Sequence, residues 1–288
     1  MSWHTTPLQR PPCPLCEGRR KRVGYSQAFA PFALATCLDC HFEYLSPRPT
    51  EQAMRQFYES GDYYASQAQG EGYGNYADQQ QSLRLTARAL LTELQHLRRG
   101  ARGRLLEVGC GLGYFLSEAR PHFDWLEATE MSAAAAEQAK AFADRVFVGD
   151  VSSLPSGHQR YDVIVASQVV EHIYAPHSFV ASLTQRLAPG GCLLLTTPDA
   201  GSPWRRLMGS KWPSFKLPEH VTYYDSASLQ RLMGAHLPRV VQVPCEHAFP
   251  LALVFTKLGL GRWSARLGDA ALFMPKACVA VAGFAQDE

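Results

Sequence analysis

From Arg104 onward the chain alternates short apolar runs with helix-length stretches. Five of these runs read as strands: Leu105–Val108, Trp125–Thr129, Arg145–Val148, Asp162–Ala166 and Cys192–Thr197. Unbroken apolar stretches such as VIVA and LLL suit strands covered on both faces, because a strand with one wet face would alternate polar and apolar residues. Beyond Pro198 the rhythm gives way to an irregular aromatic-rich segment, SPWRRLMGSKWPSFKLPEHVTYY, followed by a helix over 226–235. Two further strands are expected at Val240–Val243 and Ala277–Ala282. The predicted class is α/β, with a seven-stranded, mostly parallel sheet and helices on both faces.

The first hundred residues follow another pattern. TEQAMRQFYES begins with a helix-capping Thr50, and QSLRLTARALLTELQHL repeats apolar residues at Leu83, Leu90, Leu91, Leu94 and Leu97, a helical period. Between them lies a Gly- and Tyr-rich stretch carrying Tyr73 and Tyr76, which reads as a mobile loop. Residues 51–100 are therefore expected to form a helical lid. Residues 1–50 are set apart by prolines, paired cysteines and the run Arg19–Arg22, and residues 101–288 form the main domain. Segments 201–225 and 248–275 are expected to cover its substrate.

Composition narrows the possibilities less. The 288 residues are 46% hydrophobic, and 28 Lys+Arg against 26 Asp+Glu give a net charge of +2. No global field points to nucleic acid or a membrane. The N-terminus has no apolar core of an export signal, and no run approaches a membrane span, so a cytoplasmic protein is expected. There, the eight cysteines read as thiols or metal ligands rather than disulfides. Cys110, Cys192, Cys245 and Cys278 read as small buried hydrophobes.

The sequence LLEVGCGLGYFLSEA puts Glu107, Gly109, Gly111 and Gly113 where the first strand turns into a helix. Glycines let the backbone approach a ligand, and a helix N-terminus favours a negative group. The second strand ends in Glu130, placed to accept ribose hydroxyls, with Ser132 as the next helix cap; the third ends in Gly149-Asp150-Val151. Ligands of open α/β sheets bind at this strand edge. Asp150 has a second reading as a loop cap, and Glu130 as a solvated acid.

With the LAPGG turn before the fifth strand, residues 104–200 resemble the class I S-adenosylmethionine-dependent methyltransferases, which implies a Rossmann-like fold. The resemblance implies that Glu107, Gly109, Gly111 and Gly113 hold the amino-acid part of S-adenosylmethionine, Glu130 the ribose and Asp150 the adenine edge. Val151, Ser167 and Tyr73 are counted with this cofactor-contacting set.

Cys13-x2-Cys16 and Cys37-x2-Cys40 have the spacing of a zinc ribbon, whose four thiolates hold a structural ion tetrahedrally. A redox pair is the rival reading, and His41 is an alternative ligand to Cys40. The run Arg19–Arg22 reads either as a phosphate grip or as a solvated hairpin tip.

Methyl transfer is an in-line displacement that often needs a base to take a proton from the acceptor. The N-terminal Cys-x-x-Cys pairs, the tyrosine loop and the segment Pro218-Glu219-His220-x-x-Tyr223-Tyr224 resemble the zinc-containing nucleotide-sugar C-methyltransferases. That resemblance implies proton removal by Glu219, His220 and Tyr76. The pair Glu171-His172 after the fourth strand resembles that of the ubiquinone-type O-methyltransferases, which adds His172. The expected acceptor is a small molecule, methylated at O, C or N with His220 as base and Glu219 polarising it. Two rival readings remain: an RNA methyltransferase gripping its substrate through the zinc module, and a non-catalytic cofactor-binding partner protein.

Overall fold

The computed structural model describes residues 6–59, 79–98, 102–155, 160–252 and 270–286. The N-terminal part holds β1 (Leu8–Gln9), β2 (Lys21–Gly24), β3 (Leu34–Cys37), β4 (Glu43–Leu45) and β5 (Arg48–Pro49), then α1 (Glu51–Glu59) and α2 (Gln80–Leu97). The main domain continues with β6 (Arg104–Val108), α3 (Tyr114–Ala119), β7 (Trp125–Glu130), α4 (Ala133–Ala139) and β8 (Arg145–Val148). It proceeds through β9 (Tyr161–Ser167), α5 (Pro176–Thr184), β10 (Leu187–Pro198), α6 (Pro203–Met208), β11 (Thr222–Tyr223) and α7 (Ser226–Gly234). It ends with β12 (Arg239–Val243), β13 (His247–Pro250), β14 (Ala271–Met274) and β15 (Cys278–Phe284).

The seven-stranded sheet runs β12–β15–β10–β9–β6–β7–β8. Its strands β10, β9, β6, β7 and β8 pair in parallel, and β15 lies antiparallel to both β10 and β12. Alternate residues feed opposite faces. Leu106, Val108, Ile164, Ala166, Leu193 and Leu195 pack with α5 and α7 through Val180, Leu183, Leu229 and Leu232. Leu105, Val163, Val165, Leu194 and Ala280 pack with α2, α3 and α4. The LAPGG turn enters β10 through a register shift between Leu187 and Cys192, and a Cβ on Gly191 would lie 2.7 Å from the Ala188 carbonyl oxygen.

Helix α2, expected as part of a lid, is a layer helix. Its Ala87, Leu90, Leu91 and Leu94 pack on Phe115, Leu116 and Ala119, and Arg84 and Arg88 each bond Glu118 at 2.7 Å. Tyr73 and Tyr76 lie outside the described residues, as does most of 248–275.

Strands β2, β3, β4 and β11 form a second, antiparallel sheet in the order β11–β4–β3–β2. Residues 201–225 thus contribute a strand to the N-terminal module, and Phe29, Phe32, Leu34 and Leu45 share a core with Trp212 and Tyr223. The aromatic residues Trp212, Phe215 and Tyr223 pack edge-on among themselves. The module docks on one face of the main sheet through Leu15, Phe42 and Tyr44, and His177 of α5 donates from Nε2 to the Leu15 carbonyl at 3.0 Å.

One cysteine expectation is corrected. Cys245 and Cys278 form a disulfide with Cα atoms 5.9 Å apart, because the β12–β13 connection passes beside the start of β15. Cys110 and Cys192 are free and buried. Among the described residues no helix is long and apolar enough to cross a membrane.

The N-terminus of α7 is closed by a capping box. Asp225 Oδ1 accepts from Ser228 N at 2.8 Å, and Asp225 N donates to Ser228 Oγ at 2.9 Å. Asp225→Ala is expected to cost about 1 kcal/mol, read as a lower urea midpoint at unchanged slope; an unchanged midpoint would contradict the cap's contribution.

Candidate active site

The turn after β6 is built on backbone conformations that only glycine adopts cheaply. Gly109, Gly111 and Gly113 have φ of +71°, +54° and +82°. A Cβ on Gly109 would meet Val169 Cγ2 at 2.7 Å, and one on Gly113 would meet Phe142 Cδ2 at 2.9 Å. Glu130 braces the turn from the end of β7: Gly111 N donates to its Oε2 at 2.9 Å and Ser132 N to its Oε1 at 2.8 Å. Beside it Glu107 is buried, and its Oε2 has no hydrogen-bond partner. Burial, and then the charge of Glu130, hold the Glu107 carboxyl well above the usual range. An orphaned acceptor next to a bare glycine turn fits the ammonium of an amino-acid group, which would offset that cost.

At the next strand ends, Asp150 caps a 3-10 turn by accepting from Ser152 N at 2.8 Å, and buried Val151 opens that turn. Arg55 of α1 stands 3.7 Å from Asp150 Oδ2, so α1 reaches over this edge. Ser167 Oγ lies 2.9 Å from Thr196 Oγ1, binding the ends of β9 and β10 together. All of these residues sit at the C-terminal edge of the parallel strands.

On the same edge, β9 leads into a 3-10 turn, Val170–His172. His172 Nδ1 donates to the Glu219 carbonyl at 3.1 Å and His220 Nδ1 to the Ser214 carbonyl at 2.8 Å. With Nδ1 protonated in each ring, the remaining lone pair lies on Nε2. The two rings meet edge to face, 4.7 Å between centroids. Ligand-type atoms of Glu171, His172 and His220 all lie within 4.8 Å of one another, a span that a proton relay or a divalent ion can bridge. Neither carboxyl oxygen of Glu171 makes a hydrogen bond of good geometry.

Burial dominates the electrostatics here. It pushes Glu171 up to about 7, against the pull of its own backbone amide, the Thr197 hydroxyl and Lys216. It brings His172 down to about 3, helped by Lys216. His220 falls well below the usual imidazole range through burial and then through His172 and Lys216. Both imidazoles are neutral at neutral pH.

The structure brings His172 and His220 together. The backbone carbonyl of Glu219 orients His172, and the carboxyl beside the two rings is that of Glu171. His247, which β13 carries into the field of Lys216, is brought down to about 4 by burial and that charge; nothing in the sequence pattern singles it out.

In the N-terminal module Cys13, Cys16, Cys37 and Cys40 converge within 4.8 Å. The Cys13–Cys40 and Cys16–Cys37 sulfurs, each pair spanning the two knuckles, are both 3.6 Å apart. Thiolates at zinc distance in a tetrahedron stand ~3.8 Å apart, so the four sulfurs fit such an ion. His41 is exposed and outside this group. Arg20 is bound to Asp39 through Nε at 3.0 Å, and Lys21 Nζ donates inward to Ser46 Oγ at 2.8 Å.

Because Glu171 has a raised value in the folded state, its stabilising contribution is greatest below about 4.5 and is lost as pH rises through about 7. Glu171→Gln mimics the protonated form. Relative to the wild type it should be more stable at pH 8 than at pH 5 by roughly 2–3 kcal/mol, measured by urea unfolding at both pH values; an equal difference at both would contradict the buried acid.

A methyltransferase-domain family model matches residues 77–236, more than half of the chain. The chain is 37% identical over 103 residues to a ubiquinone biosynthesis O-methyltransferase of Caulobacter sp., covering 33% of this chain and 40% of that protein. It is 30% identical over 136 residues to a malonyl-[acyl-carrier protein] O-methyltransferase of Priestia megaterium, covering 45% and 48%. The matches therefore span less than half the length of these two curated relatives. The fold resembles the magnesium protoporphyrin IX methyltransferase of Synechocystis, with a TM-score of 0.53 at 11% identity over 82% of this chain and 100% of that one. It also resembles a SAM-dependent methyltransferase from Archaeoglobus fulgidus, with a TM-score of 0.51 at 16% identity over 70% and 94%. With the family model spanning more than half of the chain, the chain belongs to the S-adenosylmethionine-dependent methyltransferase-domain family.

Proposed function

We propose that the chain transfers a methyl group from S-adenosylmethionine to a small-molecule acceptor, with His220, His172 and Glu171 as its proton-handling centre. The observation that carries this reading is the convergence of two imidazoles and a buried carboxyl within 4.8 Å at the strand edge that carries the glycine turn. The two curated relatives described above are O-methyltransferases by name, which favours an oxygen acceptor.

The bound cofactor supplies an electrophilic methyl group on a sulfonium. Glu107 would accept from its ammonium, Glu130 would turn to the ribose, and Asp150 would meet the adenine edge. His220 presents the Nε2 lone pair, in a tautomer set by the Ser214 carbonyl. During transfer the acceptor's proton would pass to His220 Nε2. The Glu171 carboxylate then offsets the new imidazolium charge, and its value near 7 lets it pass the proton on. Tyr76 is proposed to share in proton removal and Tyr73 to contact the cofactor; both lie outside the described residues.

A structural zinc on Cys13, Cys16, Cys37 and Cys40 completes the proposal. It would supply the folding energy that such a small module lacks, and elemental analysis should find one zinc per chain. The decisive variant is His220→Gln. It should lower transfer of labelled methyl to the wild-type acceptor in a cell extract by about 10²–10⁴-fold while leaving S-adenosylhomocysteine affinity within twofold. Unchanged transfer would remove His220 from the role of base.

A further inference from the structure

Arg48, in β5 at the seam between the module and the main domain, is 4% exposed. Its guanidinium lies over the ring of Tyr174, 4.2 Å from the centroid, and Nη2 donates to the Tyr174 carbonyl at 3.4 Å. Nε and Nη1 are buried without any hydrogen-bond partner. No acid forms an ion pair with it among the described residues: Glu51, which attracts it from the start of α1, is exposed to solvent, and the charge felt by Glu171 is that of Lys216. A guanidinium in this position is unusual, because buried charges are ordinarily paired.

Its neighbours are donors too. Tyr44 and Tyr224 are fully buried, their hydroxyls have no partner, and both lie within the electrostatic reach of Arg48. A phenol carries its proton at neutral pH and can donate it to a ligand. Two N–H groups of Arg48 and the two phenol hydroxyls are thus buried without partners, and an oxyanion, which can accept from all four, would satisfy them together.

This group adjoins the proton-handling centre. Tyr174 follows His172 by two residues, Tyr224 feels the charge of Glu171, and Thr222 beside it donates to the Glu171 carbonyl at 3.2 Å. Helix α1, which starts just after Arg48, carries the Arg55 that reaches Asp150.

We propose that Arg48, with the hydroxyls of Tyr44 and Tyr224, binds the anionic end of the methyl acceptor, a carboxylate or a phosphate. This inference rests on the small-molecule reading above and narrows it to anionic acceptors. The ligand's charge neutralises Arg48, and its position places the far end of the molecule toward Glu171, His172 and His220.

The test is calorimetric titration and thermal melting of the full chain, saturated with S-adenosylhomocysteine, with inorganic phosphate and separately with benzoate in a buffer otherwise poor in anions. One of the two probes should bind saturably and raise the melting temperature, and which one it is distinguishes a phosphorylated from a carboxylated acceptor. Arg48→Met should weaken that binding at least tenfold. It should also melt at or above the wild-type temperature without anion, since it removes an unpaired buried charge. Binding of neither probe, or equal binding by Arg48→Met, would overturn the proposal. So would a clear drop in the variant's anion-free melting temperature, which would show that Arg48 is compensated within the protein. His220→Gln should keep the anion response, so failure of the base assignment and failure of the anion site read out separately.

Discussion

Residues 220–223 are clamped from two sides, and the active site depends on that clamp. From the main domain, Val221 N donates to the Glu171 carbonyl at 2.8 Å, and Thr222 Oγ1 donates to the Val170 carbonyl at 3.1 Å. From the N-terminal module, Leu45 N donates to the Val221 carbonyl at 2.9 Å, and β4 pairs with β11 through Tyr44↔Thr222 and Glu43↔Tyr223. A strand of two residues has little stability alone. Held by both partners, it fixes His220 against His172 and aligns the strip that runs on to Tyr224. The cofactor half has no such dependence, because its glycine turn and acids grow directly from β6, β7 and β8.

A common economy links the two halves. Glu107, Glu171 and Arg48 are each buried with polar atoms unmet by the protein. Leaving such groups unpaired is costly, and each lies where a ligand group of opposite character would fit: an ammonium at Glu107, a migrating proton at Glu171, an oxyanion at Arg48. Ligand groups bound at these three places would offset that cost.

Much of the fold was legible because its signal is local. Continuous apolar runs marked the strands of the main sheet, and Gly109, Gly111 and Gly113 marked a turn whose φ values leave no other residue type comfortable. The apolar stripe of α2 was equally legible, yet a stripe shows only that a face is buried. That it faces Phe115 and Leu116 rather than a substrate depends on tertiary packing. The Cys245–Cys278 pairing depends on strand order at the sheet edge, and the pairing of β11 with β4 joins segments far apart in sequence. For the same reason the sequence shows His172 and His220 each beside a glutamate but not which glutamate faces which ring. Glu219 meets His172 through its backbone carbonyl, a contact no residue type reveals, and Arg48 reads as an ordinary surface arginine until its burial is seen.

If the site is assembled by the module, loosening the module must separate the two halves of the reaction. The direct measurement is on the Cys37→Ser, Cys40→Ser double variant, comparing S-adenosylhomocysteine affinity by calorimetry with methyl transfer to the wild-type acceptor. Near-wild-type affinity with transfer reduced at least a hundredfold is the predicted result. Full transfer in the double variant would contradict it, by showing that His220 reaches Glu171 and His172 without the clamp from β4.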